Sequence, residues 1–365
     1  MNALAYKPNC DEVLTRLRLL YERRAGDRIF ATMEVPSPTL ERFRAGHPHA
    51  ECAYPDPAER AGFWDELCRE RAMLEDDSMP VAYLSEFDQG LYGGLLGGEV
   101  RFLCHPDTGW ISSMVPPLLA DWPEFDRLHF DENHPWWQRY RRQLEIFARQ
   151  SEGKWGVSHF ILIDGLNFVF ELIGATRTYL SLDEHPDMVR RAIDLGYALN
   201  LKVQQAFFDV VPALAGGTLS NFGQWIPGRV VSESIDPYHM TSVAYFEKWG
   251  REPVERILGD FDGGVIHLHG NGRHLLPAAS SLRGLKAILL LDDRGFPPAF
   301  DVLGELRTRA GDVPLSCFAD FLSFHDRLAR RDLPGGVLYQ VRGVPDAATA
   351  NRCMEQVRAY RAGTR

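Results

Sequence analysis

The sequence has no C-x-x-C pair, no basic surplus, no uninterrupted long apolar run and no extended block of like charge. Its six cysteines, Cys10, Cys52, Cys68, Cys104, Cys317 and Cys353, are scattered through 365 residues. That spacing predicts free thiols in a reducing compartment. The net charge of −10 argues against nucleic acid or an anionic membrane as the main partner, since both select basic patches. The longest like-charge run singled out, Glu75-Asp76-Asp77, predicts a solvated helix end. The most apolar stretch, Trp155 to Ala175, is interrupted by Asp164, Asn167 and Glu171, so it does not predict a membrane span. The first seven residues lack the basic-then-apolar layout of a signal peptide, and the cytoplasm is the expected location. Nucleophile and zinc-protease signatures are missing too: neither G-x-S-x-G nor H-E-x-x-H occurs, and Cys317 has no evident partner. The glycine-rich stretch Leu91–Phe102 lacks the G-x-G-x-x-G layout and predicts a tight loop or hairpin.

What is present is an ordinary globular balance, 45% hydrophobic and 25% charged, in a chain long enough to bury a large core. Residues 1–79 are expected to be mostly helical, over Cys10–Arg24 and Pro57–Leu74, with one apolar run at Arg28–Val35 that suits a strand and a polar surface loop from Arg42 to Pro57. From Pro80 onward, apolar runs alternate with amphipathic segments of helical length. The runs are Val81–Glu86, His159–Asp164, Gly217–Phe222, Gly264–His269, Lys286–Leu291, Pro314–Phe318 and Val337–Val341. The helices are Asp187–Val211, Pro237–Leu258, Pro298–Ala310, Phe321–Arg330 and Asp346–Ala362. This alternation predicts a parallel sheet, and the number of repeats predicts a (β/α)8 barrel over residues 80–365 with residues 1–79 as a helical extension packed on it. Barrel active sites lie at the C-terminal ends of the strands.

Those ends carry the candidate residues. His267 and His269, two apart on one strand, share a face and suit a metal or an anionic substrate, and Gly270-Asn271-Gly272 beyond them allows close approach of a ligand. The alternative is a hydrogen-bonded pair lining the barrel. Asp88, after Tyr83-Leu84-Ser85-Glu86-Phe87, suits a general base or substrate anchor, or else a helix cap. Asp164 ends a strongly apolar run where a buried carboxylate needs a partner. Arg177 and Tyr179 follow it, with a surface salt bridge as the plain alternative for Arg177. Asn221 and Trp225, in Ser220–Trp225, suit a flat, extended ligand or loop packing. Asp292-Asp293 and Asp320 suit outer partners of the histidines, and Arg342 suits a carboxylate.

Taken in order, these segments resemble the uroporphyrinogen decarboxylase superfamily over roughly residues 80–360. The likeness rests on Phe87-Asp88 with Leu96-Gly97-Gly98, on Asp236-Pro237-Tyr238-His239, on Gly264–Asn271, on Leu282-Arg283-Gly284-Leu285-Lys286-Ala287-Ile288, and on the last strand near Arg342-Gly343. The resemblance implies a barrel with its site at the C-terminal mouth, with Tyr238 and Asn271 among the substrate-binding residues. True uroporphyrinogen decarboxylases carry an N-terminal Arg-Gln-Ala-Gly-Arg motif, absent here, which argues against that activity. The superfamily's methyltransferases exchange methyl groups with corrinoid proteins and bind zinc through His-x-Cys and a later cysteine. Here His267 matches, His269 stands in place of the first cysteine, and Val341-Arg342-Gly343 offers none. The expectation is therefore methyl transfer or demethylation of a small molecule, with a corrinoid protein as partner and zinc or another divalent metal on His267 and His269. A nitrogen and oxygen ligand set suits an oxygen substrate such as a methyl ether or alcohol. The rival expectations are a metal-free decarboxylase or lyase acting on a small carboxylate, and a non-catalytic ligand-binding barrel.

Overall fold

The structure is a computed structural model that describes residues 4–363. Its largest sheet has seven parallel strands in the order Phe30–Met33, Val337–Arg342, Leu315–Asp320, Leu285–Leu290, Gly264–Leu268, Val231–Ser234 and Ile161–Leu162. A second sheet orders Val81–Tyr83, Gly156–Ser158, Gly217–Leu219 and Trp225–Pro227, the last strand antiparallel. The two sheets meet in one stretch of chain: Gly156–Ser158 pairs with Val81–Tyr83, and Ile161–Leu162, just beyond, pairs with Val231–Ser234. The central strands are buried along nearly their whole length, Gly264–Leu268 entirely so. Parallel strands covered on both faces need such continuous apolar runs, which is why these segments were visible in the sequence.

No ladder is recorded between Phe30–Met33 and Val81–Tyr83. Side chains from the turn before the second strand take its place. Ala31 N donates to Asp77 Oδ2 at 3.0 Å and Met33 N donates to Asp76 Oδ2 at 2.8 Å, while Asp77 N donates to Ala31 O at 2.8 Å. The segment expected to be an extension thus contributes a strand to the large sheet.

Several local expectations are corrected. Leu91–Phe102 begins in a helix, Gly90–Leu95, and enters an antiparallel hairpin, Arg101–His105 with Trp110–Met114. Its glycines permit the packing: a Cβ on Gly94 would stand 2.6 Å from Val100. Arg42–Pro57 is not all loop, since Pro38–Gly46 is a helix capped by Ser37 and Glu51–Cys52 joins the hairpin. Pro237–Leu258 is a 3-10 turn, Asp236–Met240, and two short helices, Val243–Trp249 and Arg251–Gly259. Val231–Ser234, a strand of the large sheet, was not anticipated. No helix of the described residues is long and apolar enough to cross a membrane.

Candidate metal centre

Two adjacent parallel strands build the site. Ser234 is in register with His267. Two residues further along each strand direction come Asp236 and His269, so strand pairing sets both at one level. Asp236 opens the 3-10 turn Asp236–Met240, where Pro237 supplies the fixed φ that suits a first helical position.

Asp236 Oδ1 lies 2.9 Å from His267 Nε2, and Asp236 Oδ2 lies 3.9 Å from His269 Nε2. One ligand atom from each of the three residues lies within 4.8 Å of the others. Although close to His267, Asp236 Oδ1 is buried without an aligned hydrogen bond. The donor atoms converge on shared space, an arrangement open to ligation of a common ion. Burial would raise the Asp236 carboxyl, but His267 and then His239 and His269 hold it down at about 2, so it is ionised and able to ligate. His269 Nδ1 is 2.9 Å from Asp293 Oδ1. That bond fixes the ring and the tautomer and leaves Nε2 as the free lone pair facing Asp236. The donor set, two imidazoles and a carboxylate, fits zinc or another divalent cation.

His239 completes the cluster. It is buried, its Nδ1 is 3.6 Å from Asp236 Oδ1, and its ring centroid is 5.6 Å from that of His269. Burial lowers its pKa to about 4. Gly272 is required beside it, because a Cβ there would lie 2.2 Å from the His239 ring.

The other expected residues divide into four places. Asp88, after the 3-10 turn Ser85–Phe87, is pushed by burial to about 7, with His267 pulling it back. Asn271 stands at the centre: its N donates to Asp293 Oδ2 at 3.4 Å and its Oδ1 is buried without a partner. Tyr179 reaches the centre indirectly, donating through its hydroxyl to Pro237 O at 2.7 Å. Asp164 lies away from the triad. It caps the helix Gly165–Ile173 and lines a small cavity with Glu233 and Tyr238. Asp164 Oδ2, Glu233 Oε2 and the Tyr238 hydroxyl are all buried without partners. Burial pushes Asp164 to about 7, and burial together with Asp164 pushes Glu233 well up. Asn221, Trp225 and Arg342 line a separate, larger cavity. Arg177 bonds Leu119 O and faces Asp121 at 3.7 Å, outside the cluster. Of the outer partners, Asp293 touches a histidine, Asp292 binds Arg273 and Ala299 N, and Asp320 caps the helix Phe321–Ala329.

Sequence reasoning missed Asp236 as a ligand and Glu233 and Glu171 as buried acids. For Asp236 the available signal was Asp-Pro directly after a short run with Val at its start and Ile at its end, Val230–Ile235, a run whose polar middle hid the strand.

No family model matches the chain, and no curated protein matches it. Among solved structures, a methyltransferase from Methanosarcina mazei is similar at a TM-score of 0.59 and 11% identity, covering 95% of this chain and 98% of that one. The two share an α/β fold over nearly their full lengths.

Proposed function

We propose that this chain is a metal-dependent methyltransferase-like enzyme of the uroporphyrinogen decarboxylase superfamily. In this reading it moves a methyl group between a small molecule, such as a methyl ether or alcohol, and a corrinoid carried by a partner protein. The observation that carries the proposal is the convergence of Asp236, His267 and His269 on shared space. The fold is read as a closed (β/α)8 barrel. Its support is that the parallel strands neighbour one another in chain order from Val81–Tyr83 round to Phe30–Met33, with Asp76 and Asp77 bridging the remaining gap. The nearly full-length likeness to the methyltransferase supports the reaction class.

Asp236, His267 and His269 would hold the metal, leaving a coordination position for substrate. Bound there, zinc or another divalent ion supplies Lewis acidity toward a substrate oxygen. The chain's own residues do the rest. Asp293 holds the His269 ring so that Nε2 faces the centre. Phe222 sets its ring edge against His267, centroids 5.7 Å apart, and covers that side of the imidazole. Asp88, poised at about 7, holds or releases a proton at its carboxylate oxygen near neutral pH. Met240 and Phe296 are 73% and 46% exposed beside Asn271 and Gly270, and give a partner protein an apolar rim to meet.

The test is elemental analysis of the purified protein with methyl transfer assayed alongside. The expected result is stoichiometric divalent metal, lost together with turnover in His269→Ala. Full activity after exhaustive chelation, with metal content indifferent to His269→Ala, would overturn the reading in favour of a metal-free lyase.

A further inference from the structure

A cavity of about 370 Å³ is distinct from the metal centre and shares one wall with it. It lies at the ends of the strands Phe30–Met33, Val81–Tyr83, Leu315–Asp320 and Val337–Arg342, and its wall includes Trp64, Tyr83, Trp110, Phe222, Phe318 and Arg342. The rings form a tilted aromatic lining: Trp64 and Tyr83 centroids are 5.1 Å apart with planes at 60°, and Tyr83 and Trp110 centroids 5.2 Å apart with planes at 54°. Phe222 belongs both to this wall and to the edge contact with His267.

Arg342 is the unusual member. Its guanidinium lies 3.7 Å from the centroid of the Phe318 ring, and its nearest carboxylate, Glu34, is 3.7 Å away. Neither contact uses its N–H groups in a hydrogen bond, and among the described residues none is recorded for it. A guanidinium stacked on a ring keeps five coplanar donors free for a planar acceptor. Three further residues of the lining, Asn221, Gln224 and Trp64, each keep a buried polar atom unpartnered: Oδ1, Nε2 and Nε1. Buried polar groups without partners are costly, and small side-chain turns would offer them to a ligand.

We infer that this cavity binds a planar aromatic carboxylate of one or two rings, the ring against the Trp64–Tyr83–Trp110 surface and the carboxylate on Arg342. The volume is at the small end of ligand pockets, which suits one or two rings. Inclined rings offer both faces and edges to a π-system, which favours an aromatic over a puckered aliphatic ring. Glu34 beside Arg342 disfavours a dianionic phosphate more than a monoanion, since repulsion scales with charge. That the bound molecule is also the methyl donor rests on the proposed function; the binding itself does not.

The experiment is titration of the full-length protein, followed by tryptophan fluorescence and calorimetry, with 4-methoxybenzoate, benzoate, cyclohexanecarboxylate and methoxybenzene. Saturable binding of the two aromatic acids is expected, with cyclohexanecarboxylate and methoxybenzene each weaker by about tenfold or more. Arg342→Gln, an exposed position whose change leaves the fold intact, should weaken the aromatic acids by about tenfold and leave methoxybenzene unaffected. His269→Ala should retain the aromatic acids, so loss of the metal reading leaves this one standing. No saturable binding, equal binding of benzoate and cyclohexanecarboxylate, or an Arg342→Gln variant with unchanged preference for the acids would overturn it.

Discussion

Two groups stand out among the buried and half-buried carboxylates of this molecule, and they differ in whether a cation meets them. In the first, Asp76 is fully buried and accepts from Lys7 Nζ at 3.0 Å, Arg71 at 3.1 Å and Met33 N at 2.8 Å. Beside it Asp77 accepts from Arg16 Nε at 2.6 Å and from Ala31 N. Burial alone would raise Asp76, but Lys7 and Arg71 hold it well below the usual carboxylate range. In the second group, Asp88, Asp164, Glu171 and Glu233 have no cationic partner within hydrogen-bonding distance among the described residues, and burial pushes all of them up. The first group takes over strand pairing where no ladder forms. In the second, Asp88 feels the charge of His267 while Asp164 and Glu233 line the small cavity away from the triad, and all are pushed toward the protonated form. Pairing separates carboxylates that build the fold from those available to chemistry.

The largest expected effect breaks the paired group. Asp76→Asn leaves the Lys7 ammonium buried without its counter-charge and should cost about 3–5 kcal/mol, read by urea unfolding. Adding Lys7→Met should recover part of that loss. A cost under about 1 kcal/mol, or a double variant as poor as the sum, would erase the distinction between the groups.

The next test concerns the metal centre, where a carboxylate meets imidazoles. Zinc at a hundred times its dissociation constant should stabilise the protein by about 2.7 kcal/mol, seen as a raised melting temperature. Asp236→Asn or His269→Ala should remove that rise. If either variant keeps it, the ion binds elsewhere.

The unpaired group gives a pH signature. Asp164 has a folded pKa of about 7 against an ordinary 3.8, so the folded state binds its proton more tightly than the unfolded state. The resulting stability is fully present below about pH 4 and is lost as pH rises through about 7. Asp164→Asn removes that loss. The variant should be more stable than the parent at pH 8, by up to about 4 kcal/mol, with no gain at pH 4. A gain that is the same at both pH values would mean that the carboxyl does not hold its proton.

The sequence made the parallel strands legible because strands covered on both faces are apolar throughout, as in Leu285–Leu290. Val231–Ser234 escaped because its middle is polar: Ser232 faces His159 Nε2 at 2.8 Å, and Glu233 faces the small cavity with Asp164. The histidine pair was visible because its two members are close in the chain. Asp236 as their companion was not, since it arrives by register between neighbouring strands, a relation that spacing along the chain does not carry. Asp293 and Asp320 illustrate the same limit. Both follow apolar runs, yet one orients His269 and the other caps a helix, and only the packing of the next segment distinguishes them.

The smallest effect tests how the metal centre is held from outside. Tyr179, on the helix Ala175–Glu184, donates its hydroxyl to Pro237 O, the carbonyl next to Asp236. The helix thereby pins the turn that aims the carboxylate. Tyr179→Phe keeps the ring and its packing on Phe170, 5.3 Å away, and deletes only the hydrogen bond, at a cost of about 1 kcal/mol. If the bond merely adds stability, the melting temperature falls and zinc affinity stays. If it positions Asp236, zinc affinity should also fall, by about fivefold for the same energy, while Tyr197→Phe, whose hydroxyl meets Asp260 on the surface at 2.6 Å, should leave affinity unchanged. Equal zinc affinity in both variants and the parent would confine Tyr179 to a structural part and leave Asp236 held by its own strand and turn.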